Sequence, residues 1–531
     1  MTARMALGFG LISTMIGCNQ VPDPFATDPT GTTDPTVTTP TGTTDPVEPT
    51  VEVAADLPVL YLRVGESVEL PFSVNRSSNL EGAVTATLTG LPEGVSAESL
   101  ELAEGTLSGS FLITAAADAS TGGPLPIVVR AEGEGAQPHE AEVGLIVAGQ
   151  PGTFDESVGE GGSVTLEHPN AEADYGNDLV VDELGRILLV GVSETADLLS
   201  STGWVVRLDG MIAPDPTFGD GGWVDDFGEG RSDALRIGLR GENDSLVLAA
   251  DSSAGRTGFI IRALTEEGAT DESYGPYGFT GFTEVRTDRT NGLHVTPAGE
   301  ALAYGFTDID PYDAQGVLDN SFVQYNAAIW RVSAARWDAD GCVMTGGITF
   351  DADAYVVERL MPDGSLDEKW GESGTLAMPI PEGWGGRGYI EELRLFPDGS
   401  GVATASADLF GGDNRYPAVM RFDASGQPDP AFGGTGLIPL LDEGGIGTVS
   451  ALEVHDGKVL VAAYEIVEDV GWVTTLRRFG ADGLPDPTFG GSGVLELSER
   501  VWAMAIDEPG GRVITMADDP DGGVLLTRIW L

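Results

Sequence analysis

The segment Pro-Asp-Pro-Thr-Phe-Gly at Pro214–Gly219 recurs unchanged at Pro485–Gly490. Five variants, FDESVG, TDESYG, LDNSF, LDEKWG and PDPAFG, occur at Phe154–Gly159, Thr270–Gly275, Leu318–Phe322, Leu366–Gly371 and Pro428–Gly433. The aspartates of the seven copies are Asp155, Asp215, Asp271, Asp319, Asp367, Asp429 and Asp486, and the steps between them are 60, 56, 48, 48, 62 and 57 residues. A repeat of this length indicates an array of similar supersecondary units.

The sequence pattern of each unit around this motif is typical of four short strands. In the second unit, Asp233–Arg240, Ser245–Ser252 and Gly258–Thr265 alternate apolar and polar residues before the motif, and Phe279–Val285 follows it. Asp-Gly pairs such as Asp398-Gly399 stand between the first two strands of several units, and they tolerate the positive φ of tight hairpin turns. Seven such units predict an all-β protein whose main part is a seven-bladed β-propeller.

The motif, the glycines after it, the Asp-Gly hairpin and strands such as VVRLDG at Val205–Gly210 resemble the delta-60 repeat of bacterial surface proteins. The resemblance covers Gly152–Leu531 and implies the propeller fold, but it implies almost nothing about function. Two units depart from the pattern. Tyr304–Leu318 leaves little room for a separate third strand, and the first copy has Val158 where most others have an aromatic residue.

The phase of the repeat predicts how the ring of blades closes. We assign the first strand of each blade to the residues before the hairpin turn, and the outer strand to those after the motif. Ser163–His168 then follows a motif without having a blade of its own, whereas the last blade, Val501–Leu531, lacks an outer strand. We therefore expect Ser163–His168 to complete the last blade, since this would cover edges that otherwise invite aggregation.

The charge of the chain excludes several classes of partner. The 531 residues carry a formal net charge of −57 and include only two lysines, Lys369 and Lys458. Without a basic stripe the chain is not expected to bind nucleic acid, nor to bind anionic lipid electrostatically. The two cysteines, Cys18 and Cys342, predict no disulfide framework.

Residues 1–18 predict a lipoprotein signal peptide. The apolar segment Met5–Gly17 follows Arg4 and is too short to span a bilayer comfortably. Gly17-Cys18 resembles the lipobox of bacterial lipoproteins, with Met15 in place of the usual leucine. The resemblance implies lipidation of Cys18 and, because Asn19 follows, the outer membrane or surface of a Gram-negative cell. The alternative is an ordinary signal peptide in which Cys18 has no role.

Two further segments precede the repeats. Residues 19–50 are rich in Thr, Pro and Asp and have no hydrophobic period, which predicts a disordered linker. Residues 51–150 contain several short alternating segments, such as Ser67–Asn75, and predict an immunoglobulin-like β-sandwich. It lacks the Cys-Trp-Cys core of true immunoglobulin domains, and we interpret it as a spacer.

Arginine and aspartate recur at a fixed spacing within the repeats. Five of the seven motif aspartates are preceded by an arginine, eight residues earlier in four units and nine in another: Arg207–Asp215, Arg359–Asp367, Arg421–Asp429, Arg478–Asp486 and Arg262–Asp271. Because the pair recurs blade after blade, we interpret it as a structural link and not as a set of anion sites. The motif aromatics are likewise interpreted as wedges between blades: Phe218, Tyr274, Trp370, Phe432 and Phe489.

Chemistry is less clearly encoded, and no catalytic residue is assigned. Asp308, Asp310 and Asp313 offer oxygen ligands of the kind Ca²⁺ accepts, so a Ca²⁺ site there stays open, although no full twelve-residue Ca²⁺ loop is present. His294 and His455 fall on predicted first strands and could face the central channel. No nucleophile elbow or HExxH helix occurs. A metal-dependent hydrolase or lyase with its site in the channel is the alternative function.

Irregular loops carry aromatic residues beside glycines and aspartates. They span residues 308–317, 382–388 and 409–416, and the aromatics are Tyr312, Trp384, Phe410 and Tyr416. Exposed aromatics among polar neighbours suit contact with sugar rings or protein surfaces. We therefore expect an exported, membrane-tethered monomer whose propeller is a surface binding or scaffolding module for protein or carbohydrate, and not an enzyme.

Overall fold

The computed structural model describes residues 48–169, 173–194, 201–225, 235–241, 245–251, 259–275, 279–280, 291–323, 329–349, 353–382, 384, 386–408, 415–441, 447–467, 471–520 and 522–531. Every regular element among these residues is a β-strand. The strands follow the segments of alternating apolar and polar residues, because alternate side chains of a strand point to opposite faces.

The first nine strands form two sheets around one core. One sheet contains, in spatial order, β1 (Val51–Ala55), β3 (Ser67–Arg76), β7 (Ser108–Ala115) and β5 (Val95–Ala97). The other contains β2 (Val59–Arg63), β9 (His139–Ala148), β8 (Gly122–Gly133), β4 (Val84–Thr89) and β6 (Leu100–Leu102). Apolar residues at every second position fill the space between them, where Phe72 and Phe111 stack with ring centroids 4.8 Å apart.

The remaining strands form antiparallel groups in chain order. The first three groups are β11 (Ala173–Val181), β12 (Ile187–Glu194), β13 (Ser201–Leu208) and β14 (Trp223–Asp225); β15 (Leu235–Arg240), β16 (Ser245–Asp251), β17 (Phe259–Leu264) and β18 (Phe279–Thr280); and β19 (Gly292–Val295), β20 (Ala301–Tyr304) and β21 (Ile309–Tyr312). The next two are β22 (Ile329–Trp337), β23 (Val343–Thr349), β24 (Ala354–Leu360) and β25 (Thr375–Pro379); and β26 (Arg387–Leu395), β27 (Gly401–Asp408), β28 (Arg415–Phe422) and β29 (Leu437–Pro439). These two groups are joined by one bridge, Ile348 to Tyr389.

The last two groups complete the chain. One contains β30 (Gly447–His455), β31 (Lys458–Val467), β32 (Gly471–Phe479) and β33 (Val494–Leu497). The other, called here the closing sheet, contains β34 (Val501–Asp507), β35 (Arg512–Asp518), β36 (Val524–Trp530) and the early strand β10 (Ser163–Leu166). The predicted pairing of Ser163–Leu166 with the last strand is present, with Ser163 opposite Thr527.

The groups are arranged in a closed ring. Their first strands contact one another in chain order, in the sequence β11, β15, β19, β22, β26, β30 and β34. The strand β34 then contacts β11, so the last group lies against the first. A central channel therefore runs between the first strands, and both ends of the repeated segment meet in the closing sheet.

The third group corrects one expectation from sequence. Tyr304–Leu318 was expected to leave almost no room for a third strand, yet Ile309–Tyr312 pairs with Ala301–Tyr304 along its whole length. The reason is that the connection between the two strands contains only residues 305–308. This strand needs just four residues, because burial on all four compensates for its short length.

The repeated motif forms a turn that links one group to the next. At its end, Gly490 has φ of 57°, and a Cβ there would lie 2.6 Å from the carbonyl oxygen of Val494, so only glycine fits without strain. The motif glycines donate their N–H groups to carbonyls in the following group: Gly219 to Glu267, Gly275 to Gln315, Gly371 to Ser425 and Gly433 to Asp482. Gly490 N donates to Pro151 O at 2.9 Å, which continues this pattern across the closure of the ring.

The motif aspartates form ion pairs with arginines that also reach the next group. Nε of the arginine lies 2.9 Å from Oδ2 in Arg207–Asp215 and Arg478–Asp486 and 3.2 Å in Arg421–Asp429, and Arg359 Nη1 contacts Asp367 Oδ2. Arg207 Nη1 also donates to Glu266 O, and Arg421 Nη1 to Ala481 O. Each of these two guanidiniums thus joins its own motif to the neighbouring group.

Two motif copies use partners that the spacing does not anticipate. Asp271 forms an ion pair with Arg240, while the expected partner Arg262 donates from Nη2 to Thr270 Oγ1 at 2.6 Å. Asp155 is fully buried, and its Oδ2 lies 2.7 Å from Arg512 Nε and 2.6 Å from Arg528 Nη2. Arg512 and Arg528 belong to the closing sheet, so the first motif is bound to the last strands of the chain.

The motif aromatics are buried where the groups meet. Phe218, Tyr274, Phe432 and Phe489 are fully buried and Trp370 nearly so. Arg207 lies over the ring of Phe218, with 5.0 Å from its Cζ to the ring centroid, and Arg478 lies 4.8 Å over Phe489. The aromatic ring and the ion pair therefore stabilise the same turn.

The two-sheet domain contacts the closing sheet directly. Arg63 donates from Nη1 to Gly149 O at 2.6 Å and from Nη2 to Leu531 O at 2.9 Å, and Arg512 Nη2 donates to Gly123 O at 2.8 Å. Ile146 and Ala148 pack against Trp530. Residues 49–531 accordingly form one compact unit.

The N-terminal predictions concern residues outside those that the structure describes. The expected signal peptide, the lipidation site Cys18 and nearly all of the expected linker lie outside the described residues. Within the described residues, no helix is long and apolar enough to cross a bilayer.

Candidate functional site

The antiparallel strands give the ring two different ends. At one end lie the turns between first and second strands together with the motif turns, and we call this end the hairpin face. At the opposite end, the loop face, lie the connections from second to third strands and from each outer strand to the next first strand. Trp384 and Tyr416, at the links before β26 and at the start of β28, therefore lie on the loop face.

The structure brings together two of the aromatics that the sequence singled out. The rings of Trp384 and Tyr416 stack, with centroids 5.3 Å apart and planes inclined by 21°. Both side chains are half-buried, and Trp384 also packs on the core between β24 and β26. Phe410 lies outside the described residues.

The prediction that Tyr312 is an exposed binding aromatic is wrong. Tyr312 ends the strand Ile309–Tyr312, is 3 % exposed, and packs with Tyr274 and Leu293 in the core. The sequence favours a loop at Tyr312 because the segment around this residue is short and rich in aspartate, which hides the strand pattern.

The expected Ca²⁺ ligands are not brought together. Asp308 precedes the strand and Asp313 follows it, so a strand rise of ~3.3 Å per residue separates them by about 16 Å. Ca²⁺ ligands lie only ~2.3–2.6 Å from the ion. Asp310 is buried within the strand, and Asp313 Oδ1 accepts the N–H groups of Gln315 and Val317, which closes the turn. Across the described residues, no three His, Cys, Asp or Glu side chains are grouped in a way that could hold a metal ion.

A groove of about 650 Å³ opens between the sheet β30–β33 and the closing sheet. Its lining is Phe154, Gly161, Ser163, Trp472, Val473, Glu496, Leu497, Ser498, Glu499, Val501, Thr515, Ala517 and Thr527. The indole of Trp472 is 54 % exposed, and Phe154 is 37 % exposed. The groove therefore combines exposed aromatic surface with hydroxyl groups and two carboxylates, and its volume lies within the ~300–1,000 Å³ range of small-molecule sites.

Trp472 belongs to a cluster of four side chains in contact. We call it the aromatic bracket, and it contains Tyr464, Trp472, Arg500 and Trp502. The rings of Tyr464 and Trp472 meet edge to face, with centroids 5.0 Å apart. The guanidinium of Arg500 lies over two rings, with its Cζ 4.0 Å from the centroid of Tyr464 and 3.9 Å from that of Trp502. Arg500 Nη2 also donates to the hydroxyl of Tyr464. These contacts with one guanidinium stabilise the arrangement of the rings.

A β-bulge places Trp502 in this bracket. The pairing of β34 with β35 shifts register between Val501 and Ala503, which leaves Trp502 as the extra residue. Its side chain is 37 % exposed, and Nε1 donates to Asp518 Oδ2 at 2.7 Å. A bulge of this kind redirects one side chain out of the regular alternation of a strand. Equivalent shifts leave one residue unpaired in other first strands, at Asn177, Ser333, Glu391 and Ser450.

The charge of the groove is negative. Glu496 and Glu499 line it, whereas none of its lining residues is a lysine or arginine. Arg500, next to the lining residue Glu499 in the chain, is stacked within the bracket. The groove therefore suits neutral or cationic ligands and repels polyanions.

Sequence reasoning missed this groove. Trp502 falls at the start of the last blade, Val501–Leu531, and was therefore interpreted as part of a strand, and Trp472 was not singled out. Their exposure depends on where the ring closes, since the groove is built from β10, β32, β33, β35 and β36, which are distant in sequence. The available signal was the sequence SERVW at Ser498–Trp502, which places an arginine beside a tryptophan after an acidic residue.

The two histidines considered from sequence occupy different sites. His294 lines the central channel, and its Nδ1 accepts the N–H of Trp337 at 3.3 Å. Burial, and then the charges of Arg336 and Arg394, lower the pKa of His294 to about 3, so its imidazole is neutral near pH 7. His455 lies on the hairpin face, with Nε2 3.3 Å from Glu508 Oε2.

Comparison with known proteins bears on the ring of sheets. Residues 455–489 match the family described as "Domain of unknown function (DUF5122) beta-propeller". The matched segment runs from the end of β30 through β31 and β32 to the motif at Asp486–Phe489. The ring of sheets is a β-propeller. No curated protein matches the sequence.

Two solved structures were compared with the chain. The subtype N11 neuraminidase-like protein of A/flat-faced bat/Peru/033/2010 (H18N11) is 12 % identical, with 72 % of this chain and 97 % of that chain covered and a TM-score of 0.31. The two tandem V-type regions of VCBP3, a v-region-containing chitin binding protein, are 13 % identical, with 41 % and 94 % covered and a TM-score of 0.14. At these TM-scores neither structure supports an inference about function.

Proposed function

We propose that the propeller is a carbohydrate-binding module, and that its binding site is the groove between the sheet β30–β33 and the closing sheet. The observation that carries the proposal is the exposed indole of Trp472, held by the aromatic bracket at the edge of a groove lined with hydroxyls and carboxylates. An indole offers a flat apolar face to the C–H groups of a sugar ring, and the hydroxyls and carboxylates offer partners to its O–H groups.

The lining favours one class of sugar. Glu496 and Glu499 accept hydrogen bonds, and the hydroxyls of Ser163 and Thr527, 2.9 Å apart, can both donate and accept. Sulfated or carboxylated polysaccharides would bring negative charge toward these carboxylates in a chain of net charge −57. The proposed ligands are therefore neutral glycans or glycans that carry amino groups.

We also propose that the propeller has seven blades and that the two-sheet domain is an immunoglobulin-like spacer. The blade count is supported by the seven first strands that contact one another in order, and by the hydrogen bond from Gly490 N to Pro151 O across the closure. The spacer is supported by its two packed sheets and by its contacts with the hairpin face at Gly511 and Leu531, away from the groove. An experimental structure with six or eight blades would contradict the count.

A membrane anchor at Cys18 completes the proposed arrangement. It is supported by the apolar segment that ends at Gly17-Cys18 and by the polar linker that follows. Lipidation would tether the chain to the outer membrane, and residues 19–50 would separate the propeller from the lipid surface.

Replacing Trp472 by alanine should weaken glycan binding about tenfold or more. The expected loss follows from removing the apolar face that the sugar covers, worth ~1.5–3 kcal/mol for a large apolar side chain, where 1.4 kcal/mol is tenfold in Kd. Binding would be measured on a glycan array and then by calorimetry with the best array ligand. Tyr175→Ala is the matched control, because Tyr175 is a 41 % exposed aromatic outside the groove and its loss should leave Kd unchanged.

Three outcomes would contradict the carbohydrate proposal. An array without any bound glycan would reject the ligand class, and equal losses in W472A and Y175A would reject the groove. A protein captured through Trp472, with no glycan bound, would make the groove a protein interface instead.

A further inference from the structure

The central channel contains a second cavity, separate from the groove. It measures about 510 Å³ and is lined by residues of all the first strands, including Asp178, His294, Arg336, Arg394 and Glu453. Glu183 and Glu508, which follow the first strands of their blades, place its opening on the hairpin face. Its lining combines these charged groups with apolar side chains such as Leu179, Ile237 and Leu293.

Corresponding positions on successive blades supply these charged groups. His294, Arg336, Arg394 and Glu453 lie opposite Leu302, Met344, Val402 and Leu460, each of which is the third residue after the glycine of its hairpin turn. Side chains from equivalent positions of a propeller lie at one level of the channel. They therefore form a continuous arc around part of the cavity.

Arg394 forms ion pairs with two carboxylates, those of Glu392 and Glu453. Its Nη2 lies 2.8 Å from Glu453 Oε1, and its Nη1 lies 3.0 Å from Glu392 Oε2. Its Nη1 also donates to Leu393 O at 3.0 Å. Despite the cost of burial, the two carboxylates raise the pKa of Arg394 above its usual range.

Arg336 has different contacts from Arg394. Its Nε donates to Leu393 O at 2.8 Å, which fixes the side chain, but among the described residues no carboxylate forms an ion pair with its guanidinium. Burial and the neighbouring charge of Arg394 lower the pKa of Arg336. The terminal nitrogens of Arg336 thus remain for a ligand or for water in the cavity.

His294 adds a neutral donor beside this cation. Because Nδ1 accepts the Trp337 N–H and the imidazole is neutral, the proton of the ring is on Nε2. A neutral N–H donor next to a guanidinium suits an acceptor that carries one negative charge. Glu392 and Glu453 lie close enough to Arg336 to oppose the lowering of its pKa. They would repel a second negative charge on the ligand.

We propose that this cavity binds a small molecule with one carboxylate group, whose two oxygens pair with the guanidinium of Arg336. The planar guanidinium fork matches a carboxylate in bidentate geometry. The acidic residues at the entrance, Glu183 and Glu508, disfavour polyanions, so the rest of the ligand is uncharged or cationic. This site is independent of the glycan groove, because the two share no lining residue.

The test uses sodium acetate and sodium lactate as probes, with sodium chloride at equal ionic strength as the reference. A ligand that binds only the folded protein raises the melting temperature in proportion to the logarithm of its concentration above Kd. We expect both probes to raise the melting temperature of the full chain relative to chloride. Arg336→Gln should abolish this rise, and Arg336→Lys should retain part of it.

Two controls separate a binding role from a structural one. Without probe, Arg336→Gln should lower the melting temperature much less than Arg394→Gln does, because it loses the hydrogen bond to Leu393 O but leaves no carboxylate without its ion-pair partner. Arg394→Gln should lower the melting temperature, because Glu392 and Glu453 then lie unpaired in the channel. Trp472→Ala should leave the acetate response unchanged, which distinguishes this site from the groove.

The proposal is overturned if acetate and lactate shift the melting temperature no more than chloride does. It is equally overturned if Arg336→Gln responds to acetate as the parent protein does. A fall in the probe-free melting temperature of Arg336→Gln as large as that of Arg394→Gln would make Arg336 a structural residue.

Discussion

Replacing Asp155 by alanine should lower the free energy of unfolding by about 3–5 kcal/mol, the range observed when one partner of a buried ion pair is removed. Asp155 is fully buried, and its two partners, Arg512 and Arg528, have side chains only 3 % and 2 % exposed. The alanine variant leaves two adjacent guanidiniums in the core with one carboxylate less. The change should appear as a fall in melting temperature on the order of 10 °C.

The electrostatics of the cluster explain why this site should be the most sensitive. Burial and the neighbouring Arg512 charge lower the pKa of Arg528, and Asp155 opposes this effect. Asp507 lies 3.3 Å from Arg512 Nη1, so it can compensate at that arginine only in part. Because Asp155 and Arg528 come from opposite ends of the repeats, the loss also weakens the closure of the ring.

A graded series of the same motif position provides the controls. In Asp215→Ala one buried partner, Arg207, loses its carboxylate, so an intermediate fall is expected. Asp319 is exposed and its Oδ1 accepts bonds only from Ser321, so Asp319→Ala should change the melting temperature by no more than about 2 °C. Equal effects of all three substitutions would contradict a structural role that depends on burial.

Replacing Cys18 by serine should move the whole protein from the membrane fraction to the soluble fraction. Each methylene of an acyl chain buried in a bilayer contributes ~0.8 kcal/mol, so loss of the thiol that we propose to be acylated would remove the anchor. Fractionation, detergent-phase partitioning and incorporation of a labelled fatty acid would each report the change.

Cys342→Ser is the matched control for this experiment. Cys342 is buried at the start of the β23 hairpin, and burial raises the pKa of its thiol, so it should be neither acylated nor needed for anchoring. The serine variant at 342 should fractionate with the parent protein. A parent protein that is already soluble, or that takes up no fatty acid, refutes the anchor.

The repeat made most of the propeller predictable. The alternating segments predict strands within a few residues, as in Asp233–Arg240 against Leu235–Arg240. The phase of the motif predicts the pairing of Ser163–Leu166 with β36. Both depend on local pattern and on counting, which a single sequence carries in full.

The candidate site was less predictable, because it depends on contacts between distant segments. Tyr312 was expected to be exposed but ends a buried strand, whereas Trp502 was assigned to a strand but is turned outward by a bulge. A bulge leaves little trace in the alternation of apolar residues, since it shifts one residue only. The partner of Asp271 also depends on a contact between distant segments. Arg240 reaches it from the first strand of the group and not from the third.

The sequence by itself determined the repeating unit, its strand pattern, the turns that need glycine and the acidic charge of the chain, because each follows from local residue chemistry and period. Only the tertiary structure decided which charges are paired and which surfaces open. Arg336 and Arg394 occupy the same position in successive blades, yet Glu392 and Glu453 match one and leave the other facing the channel. The groove at Trp472 likewise exists because the first and last strands of the repeats meet in one sheet, at a separation of more than 350 residues between Ser163 and Thr527.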